Sequence, residues 1–322
     1  MLMVPNYKTK QFFLLLLKVG LVVAAFYFLY QKLVYHPKLS FDRFVQHLND
    51  LKGASIASFA ILLFLTILNW HFEISKWKTL VKIITPITLR QAYAQCLGSL
   101  TASLLTPNRI GEYGAKALYF KKPFRKKILF LNLISNSAQM LVTSFFGIIG
   151  LIYFMGYFEL GFNFDLLFTL IVVLAFVFII LYFLRNAGRL IQFKKYVIKK
   201  IAFIKKVPRP VYLKILLFSI LRYLLFSFQF YLFLRLFNLE FSYLYAMMII
   251  SCMYFLSSVI PAIFIFDVIV KGGVAIYLFG LVGVSESIIL SVVTLMWLFN
   301  FVLPSIIGSY HVLNFKLSNS VT

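Results

Sequence analysis

The sequence predicts an all-α membrane protein, a polytopic helical bundle with six full spans and two oppositely oriented re-entrant helical hairpins. Three observations carry this expectation. Of 322 residues, 62% are apolar and 13% are charged, against roughly 45–50% apolar in globular proteins. Uncharged intervals of about 20 residues, enough for a helix to cross the hydrocarbon core, recur along the chain. Basic residues gather in the connections between them, the usual mark of cytoplasmic loops beside anionic headgroups. So little polar surface excludes a soluble enzyme, a disordered tail and a secreted disulfide scaffold. The formal charge of +23 is therefore read as membrane-facing, with no nucleic-acid partner.

The elements follow in order. Lys8 and Lys10 precede an apolar run from Phe12 to about Tyr35, which is too long for a cleaved signal segment and lacks a small-residue cleavage site. It is read as a retained first span, with Lys18 snorkelling to the interface. Phe41, Phe44, Val45, Leu48 and Leu51 recur at helical spacing and predict an interfacial helix outside. Gly53–Trp70 is the second span, and Glu73 beyond it is placed near the cytoplasmic interface with no special role. The apolar stretch from Gln91 stops at Pro107, too short to cross. Ile128–Phe158, Leu166–Leu184, Ile215–Leu234 (interrupted by Arg222) and Ser287–Phe315 complete the six spans. Between the fourth and fifth, Val197, Ile198, Ile201 and Ile204 form a second amphipathic segment among paired lysines. The stretch from Phe241 stops at Pro261 as the first stopped at Pro107.

Orientation follows the Lys/Arg bias. Arg185 to Lys214 carries ten basic residues and no acid, whereas 156–165 carries no base, so the first connection is cytoplasmic and the second is outside. Lys76, Lys78, Lys82 and Arg90 then share the cytoplasmic side with Lys121, Lys122, Arg125, Lys126 and Lys127. Residues 91–120 enter and leave on that side, and residues 241–285 enter and leave on the other. Both termini are expected in the cytoplasm of a bacterial inner-membrane protein. The whole chain, 1–322, reads as one integral membrane domain, with a faint internal repeat dividing it into halves at 1–155 and 156–322. Each half has a proline (Pro107, Pro261), an acid (Glu112, Asp267) and a lysine four residues after the acid (Lys116, Lys271). Inverted repeats with broken helices are a common transporter plan.

An ionisable residue at bilayer depth needs a partner or a wet cavity. The densest such segment is Thr106-Pro107-Asn108-Arg109-Ile110-Gly111-Glu112-Tyr113-Gly114-Ala115-Lys116. Pro107 ends a helix, while Gly111 and Gly114 permit close backbone approach. Arg109 offers a planar fork to phosphate, and Glu112 is spaced to pair with Arg109 or Lys116. One reading is a phosphate-binding tip for a lipid headgroup; the other is a salt-bridged turn that closes a hairpin. At the second tip, Asp267 and Lys271 are spaced to neutralise each other. Arg222 either lines a headgroup cavity or pairs with Glu240, Glu286 or a carbonyl. Asn132, Asn136 and Gln139 share one helix face as interhelical glue or as a polar lining.

Pro-Asn-Arg-Ile-Gly-Glu at 107–112 resembles the P-G-R-x-G-E signature of the lysylphosphatidylglycerol synthase transmembrane-domain family, the membrane half of the multiple peptide resistance factor. Asn69-Trp70 followed by Lys76-Trp77, and the proline-centred segment near 261, are similar to further features of that family. The resemblance covers essentially the entire chain. It implies a multi-span inner-membrane protein that flips aminoacylated phospholipid, with Arg109 and Glu112 in the functional tip. Asn108 stands where glycine is usual, and Pro261 to Asp267 lacks the family's glycines and ends in Asp, which leaves the lipid open. The chain ends at Thr322 without a soluble aminoacyl-transferase half, so synthesis of lysyl lipid by this chain alone is not expected.

No G-x-x-x-x-G-K-[ST] loop, no H-E-x-x-H and no G-x-S-x-G occurs, so neither a nucleotide, a metal nor an acyl-transfer serine is expected, and no cofactor. Cys96 and Cys252 lie in apolar stretches and read as packing thiols. The expected function is a phospholipid transporter of the flippase type, with Arg109, Glu112, Lys116, Asn108, Asp267, Lys271 and Arg222 as substrate-binding residues. A membrane-embedded transferase on a lipid-linked substrate and a non-transporting structural subunit are the alternatives. The partners expected are anionic or aminoacylated phospholipids, together with a second copy of the chain or a separate lipid-modifying enzyme.

Overall fold

The computed structural model describes Val23 and residues 55–104, 106, 110–158, 207–259 and 264–315. All regular structure among them is helical: α1 Ile56–Val81, α2 Leu89–Ser103, α3 Ile110–Leu118, α4 Lys122–Tyr157, α5 Arg209–Leu236, α6 Tyr243–Val259, α7 Phe264–Gly280, α8 Glu286–Trp297, a π-turn Leu298–Val302 and α9 Leu303–Leu313. Among the described residues, four helical stretches are long and apolar enough to cross a membrane: α1, α4, α5 and the continuous run Glu286–Leu313. The expected spans from Phe12 and from Leu166, both amphipathic segments, and the tips at Pro107 and Pro261 lie outside the described residues.

The helices start where local chemistry satisfies their free amides. Thr88 caps α2 in a capping box, accepting from Gln91 N at 3.2 Å while Gln91 Oε1 accepts from Thr88 N at 2.8 Å. Prolines occupy the first turns of α4 and α5, where a missing N–H costs nothing. Outward faces of α1, α4 and α5 carry exposed Phe64, Ile67, Leu141, Phe145, Ile152 and Leu217, as lipid-facing helices do. α8 is central, with every residue from Ile289 to Trp297 buried.

Small residues let helices meet. α4 lies against α6 through Gly147 and Gly150, where an added Cβ would strike Phe255 and the Met248 carbonyl. α2 lies against α9 through Gly308, whose Cβ would strike the Leu97 carbonyl, and Thr101 Oγ1 donates to Ser305 O at 2.9 Å. Both pairs run antiparallel, since residue numbers that meet rise on one helix and fall on the other. α1 and α5 are antiparallel too, with Leu62 beside Gln229 and Glu73 beside Arg222.

Two cores result. One joins Ile74, Trp77 and Val81 of α1 to Ala92 of α2, Phe120, Ile128 of α4 and Ile215 of α5. The other gathers α5, α6, α7 and α8 and takes in Leu104 from the end of α2. The first core gathers one end of the molecule, so the basic stretches around Lys78, Lys82, Arg90, Lys121 and Arg209 lie together there. α2 starts and α3 finishes at that end, where Tyr119 Oη donates to Ala94 O at 3.0 Å. α6 starts at the opposite end, where Tyr157 packs on Tyr245. At 15 residues α2 is about 22 Å long, short of a ~30 Å hydrocarbon core.

Candidate functional site

The α2–α3 break is built around Thr106 and Gly111. Thr106 Oγ1 accepts from Gly111 N at 2.9 Å, capping the first turn of α3, and donates to Ser103 O at 2.8 Å. A Cβ at Gly111 would meet the Thr106 side chain at 2.7 Å, so glycine is needed there by close approach. Gly114 has nothing within 4 Å of such a Cβ; its expected packing role is not found, because that face of α3 is open. Asn108 and Arg109 lie outside the described residues.

Glu112 and Lys116 are both buried and form a 2.7 Å ion pair one turn apart on α3. Lys116 Nζ also donates to Asn132 Oδ1 at 2.9 Å and sits 4.5 Å above the Trp77 ring. Trp77 in turn donates through Nε1 to Gln95 Oε1 at 2.8 Å. One cation thus ties together α1, α3 and α4, with hydrogen bonding and a ring face replacing its lost hydration.

A second group of charges is centred on α1, within a turn of Trp77. Glu73 is buried and pairs with Lys76 at 2.8 Å and with Arg222 Nη1. The sequence expectation places Glu73 at the interface without a special role and gives Arg222 a headgroup cavity or a pairing with Glu240, Glu286 or a carbonyl. The fold corrects the role of Glu73 and the carboxylate that Arg222 meets, because α1 continues through its charges to Val81 and its antiparallel packing on α5 sets Arg222 directly opposite Glu73. Arg222 Nε donates to Asn69 Oδ1 at 3.1 Å, and Gln139 Oε1 completes its shell at 3.4 Å.

The network continues inward. Asn69 donates to Asn300 Oδ1 at 3.0 Å, Asn300 donates to Gln229 Oε1 at 2.8 Å, and Gln229 donates to Leu62 O and Thr66 Oγ1. Asn300 is held by the π-turn. In a regular helix the N–H of residue 304 would bond the Asn300 carbonyl; Pro304 has none, and Trp70 Nε1 donates to that carbonyl at 3.2 Å instead. The signal in the sequence is a polar stripe at 66, 69, 73 and 76, a helical face inside an apolar helix.

Among these five described charges, three cations face two carboxylates, an excess of one positive charge in a buried place. Beside Lys116, the Asn132 amide nitrogen and the Ser135 hydroxyl are buried without a hydrogen-bond partner. Asn136 donates to Tyr113 Oη and Gln139 to Ser219 O, so this α4 face does bind helices together, as one of its two readings held.

Of the second-tip residues, Asp267 lies on α7. Lys271 borders a small chamber with Phe226, Phe230, Tyr254, Trp297 and Phe301, its ammonium 6.0 Å from the Phe301 ring. The Tyr254 hydroxyl in the same wall is buried without a partner. No group of three metal-ligating side chains occurs among the described residues. The structure therefore brings Glu112 to Lys116 and Arg222 to Glu73, and it places Lys271 in the wall of the aromatic chamber.

A family model described as Lysylphosphatidylglycerol synthase TM region matches residues 15–308. No curated protein and no solved structure matches the chain. With nearly all of its length covered and an all-helical fold with candidate spans, this chain belongs to the lysylphosphatidylglycerol synthase TM-region family, and is a membrane protein tied to lipid modification.

Proposed function

We propose that the protein is a phospholipid transporter of the flippase type in the bacterial inner membrane, with both termini in the cytoplasm. The headgroup phosphate is taken at the α2–α3 break by Arg109, with Asn108 beside it and Lys116 behind. The observation that carries this reading is the excess of one positive charge over the linked charges Glu73, Lys76, Arg222, Glu112 and Lys116, with the Asn132 amide and the Ser135 hydroxyl unpartnered on the α4 face that meets Lys116. A closed structural turn would neutralise its charges and satisfy its donors; a phosphate site keeps both in reserve.

On this reading α2–α3 and α6–α7 are re-entrant hairpins from opposite faces. Support comes from the length of α2 and from the shared basic end at which α2 begins and α3 finishes. Glu112 neutralises Lys116 while no lipid is bound, and Arg222 holds α5 to α1 through Glu73 as the frame. Asp267 and Lys271 serve the second break, where the aromatic chamber offers a path for the headgroup while the tails stay in the bilayer. The cargo is an anionic or aminoacylated phospholipid, supplied by a separate lipid-modifying enzyme. The order long helix, broken pair, long helix occurs twice, in α1–α4 and α5–α9, and supports the halves 1–155 and 156–322.

The test is reconstitution in liposomes with headgroup-labelled anionic and aminoacylated phospholipids. Transfer between leaflets should exceed that of empty liposomes, and Arg109→Ala and Lys116→Met should each lower it at least tenfold, the scale of one lost charged hydrogen bond of about 1.5–3 kcal/mol. Transfer no faster than in empty liposomes, or unchanged in both variants, rejects the reading.

A further inference from the structure

A cleft of about 570 Å³ opens between α1, α2 and α9, remote from the break at Thr106. Its walls are apolar, with Leu63 and Ile67 from α1, Leu97 from α2, and Leu303 and Ile307 from α9. Its one charged wall residue is Arg90, and Tyr93 and His311 stand with it. α2 begins and α9 finishes at the same end, as the meeting of Leu97 with Gly308 and of Thr101 with Ser305 requires. Arg90 and His311 therefore mark one mouth, while Leu97 and Leu303 lie deeper. From Leu89 to Leu97 the wall runs about 12 Å, close to half of the hydrocarbon core.

Arg90 is exposed and has no carboxylate partner among the described residues. Lys78 and Lys82 precede it at the same basic end, and no acid falls between residues 74 and 111. Trp70 lines the cleft, and Tyr93 near the mouth bonds through its hydroxyl to His71 at 3.3 Å. A slot that is apolar along its length and cationic at one end matches an amphiphile whose single charge is negative. We infer that this cleft binds an anionic phospholipid, with one acyl chain along the wall between α1 and α9 and the phosphate on Arg90. The site is separate from the break and does not depend on transport.

Trp70 gives the assay. Of the three tryptophans, Trp77 and Trp297 are buried, so quenching by acyl-brominated lipid reports the cleft, with Trp70→Phe assigning the signal. The purified full chain is placed in phosphatidylcholine vesicles containing a minor fraction of brominated phosphatidylglycerol or, in a parallel set, of brominated phosphatidylcholine. The anionic quencher should act as though enriched about fivefold over its bulk fraction, the weight of one cation near the lipid surface. Arg90→Gln, an exposed substitution, should remove the enrichment, and Ile307→Phe should lower quenching by both lipids. Equal quenching by both lipids in the unaltered chain, or an enrichment that survives Arg90→Gln, overturns the proposal. Neither result bears on leaflet transfer, so failure here and failure of the flippase reading are told apart.

Discussion

Glu73 is the residue on which most of the buried charge depends, since its carboxylate faces both Lys76 and Arg222. Glu73→Gln leaves two cations uncompensated in a low-dielectric place, at a cost of about 3–5 kcal/mol. The expected result is a marked fall in the melting temperature of the detergent-purified protein; a melting point within a degree or so of the unaltered chain would contradict the geometry. Glu112 and Lys116 form the second pair, and a double-mutant cycle with Glu112→Gln and Lys116→Met should give a coupling of about 0.5–3 kcal/mol. Additive effects would mean that the pair is not formed. At this scale the sequence was partly legible. The Glu112–Lys116 spacing announces a pair because four residues on one helix fix their own distance. The partner of Arg222 could not be read, because it lies on another helix and only the packing of α1 on α5 brings it near.

At the scale of the element, glycines and one proline decide where helices meet. Gly308 on α9 and Gly150 on α4 lie against backbone of the facing helix, so Gly308→Val or Gly150→Val should destabilise by about 1–3 kcal/mol through overpacking. Gly156→Ala on α4, with nothing within 4 Å, should leave stability unchanged, and denaturation of the three variants side by side checks the contrast. Asn300 depends on the π-turn for its place, and Asn300→Ala strands the Asn69 amide and the Gln229 carbonyl oxygen. Each orphaned buried group costs about 1–3 kcal/mol, so this variant should melt lower than Asn314→Ala, whose residue is exposed. The helices start at Leu89, Lys122 and Arg209, ahead of the apolar runs expected from Gln91, Ile128 and Ile215, because capping and proline chemistry rather than hydropathy sets a helix start. The second span was expected to end at Trp70, yet α1 runs on to Val81, because its charges are paired inside the protein and cost less than a solvent-blind reading assigns them.

Across the whole molecule, the described basic stretches at 78–90 and 121–127 collect with Arg209 at one end, around the core of Trp77, Val81 and Ile128. Cysteines introduced at Lys122 and at Asn238 should therefore label from opposite sides of intact vesicles with an impermeant maleimide, with Lys122 on the cytoplasmic side; the native Cys96 and Cys252 are buried and stay silent. Labelling of both positions from one side would remove the arrangement of α4 and α5 as spans. The family resemblance at 107–112 and the match over residues 15–308 agree, since the motif and the apolar runs are both local properties of the chain.

The sequence by itself determined the membrane, the helical class, the family and the places where helices break, because hydropathy, proline and short-range spacing act within a few turns. Only the tertiary structure decided which charges lie together. The polar stripes of α1, α4 and α5 are each visible alone, but their convergence on Glu73, Arg222 and Lys116 depends on helix packing set by glycines and by a π-turn far apart in the chain. Charge in a low-dielectric interior is settled by its nearest partners, and those partners are chosen by the fold.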